Sequence, residues 1–153
     1  MPGQASLDAQ EYYANRQNAF WRIMGHLFGA GPEVPYVQRL EKLQAAGVAL
    51  WDVIASCERE GSLDADIVGA TVCVNDFSQL FIEHPAIGHV FFNGAAAETA
   101  FRRYALPGLA GRHLQLCRLP STSPANAACR YEEKLAAWSV LITASNKSLP
   151  GSV

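Results

Sequence analysis

The chain has four cysteines but no Cys-x-x-Cys pair: Cys57, Cys73, Cys117 and Cys129 lie far apart. That spacing makes zinc and iron–sulfur readings weak, and no metal is expected. Charge is also scarce. Only 17% of residues are charged and the net charge is -2, which excludes a basic, electrostatically driven nucleic-acid binder. A weaker binder with a local cationic patch is compatible, and Arg102, Arg103, Arg112 and Arg118 cluster mildly. No apolar run approaches the ~20 residues of a membrane span, so no membrane partner is expected. No secretory leader is read, so reduced, mostly buried thiols in a cytoplasmic protein are expected instead of disulfides. P-loop, G-x-G-x-x-G and G-x-S-x-G motifs are all missing. Cys57 and the histidines (His26, His84, His89, His113) form no dyad signature.

Half of the residues are hydrophobic, enough for one core, and a single domain over 1–145 with a flexible tail over 146–153 is expected. Asn18 precedes an apolar-periodic stretch that stops at Gly29, which predicts a helix. "VQRLEKLQAAG" predicts a second helix, ended by Gly47. "VALWDVIAS" is a near-continuous apolar run suited to a strand buried on both faces. "NDFSQLFIEHP" predicts a capped helix that stops at proline. "GHVFFNG" and "HLQLCRLP" predict strands flanking the helix "AAAETAFRRYAL". "NAACRYEEKLAAWSVLITA" predicts the last helix. This alternation specifies a three-layer α/β/α fold, with a short, mostly parallel sheet and helices on both faces. Such sheets bind ligands beyond the carboxyl ends of their strands, here "SCEREGS", "NGAAA" and "STSPANA". Asp64 and Asp66 read as solvated turn residues. "MPGQASL" reads as a strand-exit loop with no strand before it.

Three stretches could carry chemistry. In "YYANRQNAFW", Tyr12 and Tyr13 precede a helix and Asn18 lies near its start. Asn18 reads as a helix cap, or as an amide that orients a water; the tyrosines read as packing, or as a platform for a flat ligand. In "FFNGAAA", Asn93 could pair with a base edge and Gly94 could allow close backbone approach, or both could simply form a turn. In "RLPSTSPANA", the hydroxyls of Ser121, Thr122 and Ser123 precede a helix start, which favours an anion. Pro120 and Pro124 stiffen that loop. The bland reading is a helix entry capped by Asn126. On the residues alone, both readings stand at each stretch.

In order and spacing, "MPGQASL…EYYANRQNAFWRIMG", "LWDVIASCEREGSLDADI…NDF" and "FFNGAAA…RLPSTSPANA" resemble the uracil-DNA glycosylase superfamily, and within it the hypoxanthine-DNA glycosylase branch. The resemblance covers nearly the whole chain. It implies a base-excision repair hydrolase acting on damaged DNA, with hypoxanthine as the leading base and uracil or xanthine as further ones. It implies Asn18 as the catalytic residue, and Tyr13, Asn93 and Gly3 as base-binding residues. It also implies that Ser121, Ser123, Pro124, Ala125 and Asn126 belong to a loop that enters the DNA minor groove. Many relatives have His or Asn where this chain has Ser121, which weakens the case for uracil. Of the family's G-x-x-P-G motif only Met1-Pro2-Gly3 is present, so a start upstream of Met1 is expected. The alternative is a truncated, non-catalytic DNA- or nucleotide-binding domain. A Schiff-base lyase needs a buried lysine; Lys42, Lys134 and Lys147 read as surface or tail residues, so a monofunctional enzyme is expected. Nothing signals oligomerisation, and a monomer is expected.

Overall fold

The computed structural model describes residues 3–58 and 71–148. Asp64, Asp66 and part of "SCEREGS" therefore lie outside the described residues, as do Met1, Pro2 and the last five positions. The chain forms two compact units. A sheet unit comprises residues up to Tyr12 and Trp51–Arg118, and a helical unit comprises Tyr13–Leu50 and the chain from Leu119 on.

In the sheet unit, α1 (Gln4–Ala9) replaces the expected strand-exit loop. The Gly3 carbonyl accepts from the N–H groups of Ser6 and Leu7, which starts the helix. The strand expected over 48–56 contracts to β1 (Ile54–Ser56), and it pairs antiparallel with β2 (Cys73–Val74). Only Val53 and Ile54 of that run are buried, while Trp51 is 41% exposed. The run therefore lacks the two covered faces that a buried parallel strand requires. Asn75 extends the pairing, with its N–H on Val53 O and its Nδ2 on Asp52 O at 2.7 Å.

The helix α4 (Phe77–Glu83) is capped by Asp76, whose carboxylate accepts from Gln79 N–H at 2.9 Å. Phe77 and Phe81, four residues apart, share its buried face. Its C-terminal end is held by the Arg112 guanidinium, which donates to the carbonyls of Phe81 (2.8 Å) and Pro85 (3.1 Å).

Strands β3 (His89–Asn93) and β4 (Gln115–Leu119) lie side by side in a second two-stranded sheet. Gln115 N–H donates to Gly88 O at 2.8 Å, so the strands meet start to start. That is the geometry of parallel strands joined by a helical crossover. The crossover begins as α5 (Ala95–Ala100), widens into a π turn (Phe101–Ala105) and tightens into a 3-10 turn (Leu106–Leu109). Pro107 has no N–H to continue an α-helical ladder. This path brings Phe101, Ala105 and Leu109 into one core with Val53, Phe77, Phe81 and Phe92. Phe101 stands edge-on to Phe77 at 5.1 Å.

The helical unit is built from α2 (Phe20–Phe28), α3 (Tyr36–Ala45), α6 (Tyr131–Trp138) and α7 (Val140–Ser148). Phe20, Trp21, Ile23 and Met24 of α2 are buried, the apolar stripe expected from the spacing. α2 ends at Gly29 with φ 67°, and Gly47 follows α3 with φ 73°. The single last helix expected from sequence breaks at Ser139, whose hydroxyl donates back to Ala136 O at 2.7 Å. α7 runs to Ser148, beyond the expected start of the tail. The cap of α6 is Arg130, not Asn126; Glu133 accepts from Arg130 N–H at 2.8 Å in a capping box.

Together these elements are a mixed α/β fold with short sheets flanked by helices. The thiols depart from expectation. All four are free, but Cys73 and Cys117 are exposed and Cys57 and Cys129 only half-buried. No helix among the described residues is long and apolar enough to cross a membrane.

Gly25 sits where α2 passes the 29–33 loop. A Cβ there would meet Gly31 Cα at 2.8 Å, and neither backbone can give way cheaply. Gly25→Ala is expected to lower stability by about 1–3 kcal/mol, read as a lower urea midpoint with unchanged slope.

Candidate active site

The first side chain to place is that of Asn18. It lies two residues before the start of α2, next to the cap residue Ala19, where four N–H groups have no helical partner. Its Oδ1 accepts from Phe20 N–H at 3.0 Å, so the carboxamide does serve the helix start. The side chain is only half-buried. A carbonyl oxygen has two lone pairs, and Nδ2 has two hydrogens. The bond to Phe20 therefore fixes the orientation of the amide without exhausting it.

Tyr13 carries a backbone strain that the sequence did not announce. Its φ is 53°, a left-handed conformation unfavourable for a bulky residue. Its ring stacks on Phe20, with centroids 4.0 Å apart and planes 22° from parallel. Phe20 is 1% exposed and also meets Trp21 and Trp138 edge-on. Tyr13 is thus half-buried, with its ring stacked on the core. Strain of about 1–3 kcal/mol persists only where the surroundings enforce it, and it gathers at functional sites.

The loop over 120–126 lies in the same unit and is stapled from within. Trp138 Nε1 donates to Pro120 O (2.9 Å), Asn126 Nδ2 to Ser121 O (3.1 Å), and Ala19 N–H to Thr122 O (3.0 Å). Ser123 O accepts from both Asn126 N–H (3.1 Å) and the Lys134 ammonium (3.4 Å). Four consecutive carbonyls are therefore engaged. Two hydroxyls make local turns: Ser121 Oγ accepts from Ser123 N–H, and Ser123 Oγ from Ala125 N–H, both at 3.2 Å. Thr122 is fully buried, whereas Pro124 and Ala125 are exposed at the tip. The bond from Ala19 to Thr122 ties this loop to the residue next to Asn18.

Sequence reasoning missed Lys134. It was expected on a helix surface, yet it is 6% exposed. The signal was present: Tyr131, Lys134, Trp138 and Leu141 follow the 3–4 spacing of one helix face, and Trp138 and Leu141 are core residues. Asn126, expected as a helix cap, is instead an internal clamp of the loop.

Asn93 and Gly3 belong to the sheet unit. Asn93 ends β3 and is followed by Gly94 with φ 91°, a turn that favours glycine. Gly3 is the cap of α1. The helical unit alone brings together Tyr13, Asn18 and Ser121–Asn126.

One turn beyond Asn18 on α2, Arg22 lies over the Tyr131 ring at 4.3 Å, and Tyr131 Oη is 3.1 Å from His26 Nδ1. Burial pushes the Tyr131 hydroxyl above its ordinary pKa, opposed by the nearby Arg22 charge. A cleft of about 340 Å³ is lined by Arg22, Gly25, His26, Gly31, Pro32 and Glu33. It includes none of Tyr13, Asn18 and Ser121–Asn126, and the Glu33 carboxylate lies among its walls. Among the described residues, no group of three His, Cys, Asp or Glu side chains is placed to hold a metal ion.

No protein-family model matches the chain. It is 36% identical over 127 residues to a hypoxanthine DNA glycosylase of Methanosarcina acetivorans, spanning 82% of this chain and 76% of that protein. A hypoxanthine DNA glycosylase of Methanosarcina barkeri is 36% identical over 95 residues, 61% of this chain and 59% of that one. The fold superposes on a solution NMR structure from Methanosarcina acetivorans, provisionally named a uracil DNA glycosylase. The TM-score is 0.69 at 33% identity, covering 92% of this chain and 85% of the other. Sequence and fold agree, and the chain belongs to the hypoxanthine DNA glycosylase family of the uracil-DNA glycosylase superfamily.

Proposed function

We propose that the protein removes hypoxanthine from DNA by hydrolysing the N-glycosidic bond of an extruded deoxyinosine. The observation that carries this reading is the coupling of Asn18 to the 120–126 loop. The amide is fixed by Phe20 N–H, and its neighbour Ala19 is bonded to Thr122 O. A loop that engages DNA would thereby set the position of the amide that acts on it.

The roles follow from chemistry. The base must leave the stack before its glycosidic bond can be reached. The outer face of Tyr13 receives the flipped purine, and Phe20 holds that ring in place. As the bond breaks, positive charge builds on the sugar and negative charge on the base. Asn18 holds a water in line with C1′ through its remaining lone pair, and such positioning is a large part of the barrier reduction. Ser121 lies beside the base, with Ser123, Pro124, Ala125 and Asn126 on the minor-groove side.

The test is a panel of duplexes carrying one hypoxanthine, uracil or xanthine, scored for alkali-labile abasic sites. Hypoxanthine is expected to be released fastest; release of no base from any duplex contradicts the proposal. On the hypoxanthine duplex, Tyr13→Ala is expected to raise KM about ten- to a hundredfold, the loss of ~1–3 kcal/mol of stacking. Tyr13→Phe, which keeps the ring, is expected to stay within a few-fold of the wild type.

A further inference from the structure

The buried lysine beneath the loop has no counter-charge among the described residues. Lys134 is 6% exposed, and its ammonium reaches one acceptor, the Ser123 carbonyl, at 3.4 Å. It makes no ion pair among the described residues. The neighbouring Glu133 is turned to Arg130, through both its N–H and its guanidinium. A largely buried lysine without a carboxylate partner gives up hydration and gains little in return. An arriving anion would offset that cost.

The loop's own dipoles agree. The carbonyls of residues 120–123 all accept hydrogen bonds from within the unit, so their negative ends are already matched. The Lys134 ammonium that bonds to the loop adds a positive charge there. At its tip, the exposed Pro124 and Ala125 carry no charge that would oppose an anion.

We infer that Lys134 is the internal counter-charge for a DNA phosphate seated on the outer side of the 120–126 loop. It is a positioning residue. It acts through the Ser123 carbonyl and through its field, which falls off slowly in a poorly solvated interior. This inference rests on the proposed contact of the loop with DNA. It also adds a positive charge at this point in a chain of net charge -2.

The experiment measures binding of the full chain to a duplex carrying one tetrahydrofuran abasic-site analogue, by fluorescence anisotropy across a salt series. Lys134→Met keeps the length of the side chain and removes the charge. Lys134→Gln keeps a donor for Ser123 and also lacks the charge, and it takes the place of Lys134→Met should that variant not fold. Either is expected to weaken binding about tenfold at low salt. The slope of log K against log[salt] is expected to flatten by about one, the signature of one lost phosphate contact. Lys134→Arg is expected to retain the slope. The urea midpoint of Lys134→Met is expected to hold or rise, because an unpaired buried charge is gone. A wild-type affinity and slope in the neutral variants, or a loss of stability with binding unchanged, would overturn the inference. Ala125→Asp separates the two claims. If it binds like the wild type, the loop does not meet DNA; if it binds weakly while the neutral Lys134 variants bind normally, only the role of Lys134 falls.

Discussion

Asn18→Ser is expected to lose hypoxanthine excision by at least about a hundredfold while unfolding near the wild-type urea midpoint. The magnitude is that of removing one preorganised polar group from a reacting centre. The choice of serine follows from the double duty of Asn18. Its Oδ1 accepts from Phe20 N–H at 3.0 Å, so the residue supports the start of α2 as well as the proposed chemistry. A serine hydroxyl can accept the same N–H, as Ser121 Oγ does from Ser123 N–H in this protein. It cannot reproduce the amide. Asn18→Ala removes both functions and is expected to cost about 1 kcal/mol of stability in addition to the activity. Comparing the two variants separates the cap from the chemistry. If Asn18→Ser keeps full activity, Asn18 only supports the entry to α2, whose cap position is Ala19.

Phe20→Ala carries the largest expected effect on stability. The ring is 1% exposed and meets Tyr13, Trp21 and Trp138. Truncating such a side chain costs about 3–5 kcal/mol, against a total of about 5–15 kcal/mol for a domain. A large fall in urea midpoint is therefore expected, with a substantial unfolded fraction at 37 °C. Phe20→Leu is the more informative partner. It fills most of the volume and keeps the N–H that fixes Asn18, but it removes the flat support under Tyr13. Near-normal stability with a raised KM is expected, because the shelf for the base is less rigid. An unchanged KM would show that Tyr13 needs no support from Phe20.

How much of this was readable in the residues depends on the scale of the forces involved. The stripe of Phe20, Trp21, Ile23 and Met24, the stop at Gly29 and the cap at Asp76 are local, and each appears where expected. β3 and β4 were also legible, because short apolar runs bounded by glycine or proline leave few alternatives. The run at 48–56 was misread because strand formation depends on neighbours. An apolar sequence does not say whether both faces will be covered, and only Val53 and Ile54 are. The π turn at Phe101–Ala105 is a tertiary compromise that sets Phe101 and Ala105 into one core.

The site divides in the same way. Asn18 and Tyr13 were visible as residue types at a helix start, but the left-handed φ of Tyr13 and its stack on Phe20 emerge only from packing. Asn126 carried the signature of a cap and turned out to clamp Ser121 O. Lys134 was assigned to the surface by its charge, although its position on the face of Trp138 and Leu141 indicated burial. Charge is a strong prior for exposure, and it fails where a loop closes over the helix.

The most direct measurement is a single-turnover alkaline-cleavage assay on a deoxyinosine duplex, with the wild type and Asn18→Ser run side by side at matched folded concentration. The wild type is expected to cut at the lesion, with Asn18→Ser at least about a hundredfold slower. Equal rates for the two, or no cleavage by the wild type, would contradict the account.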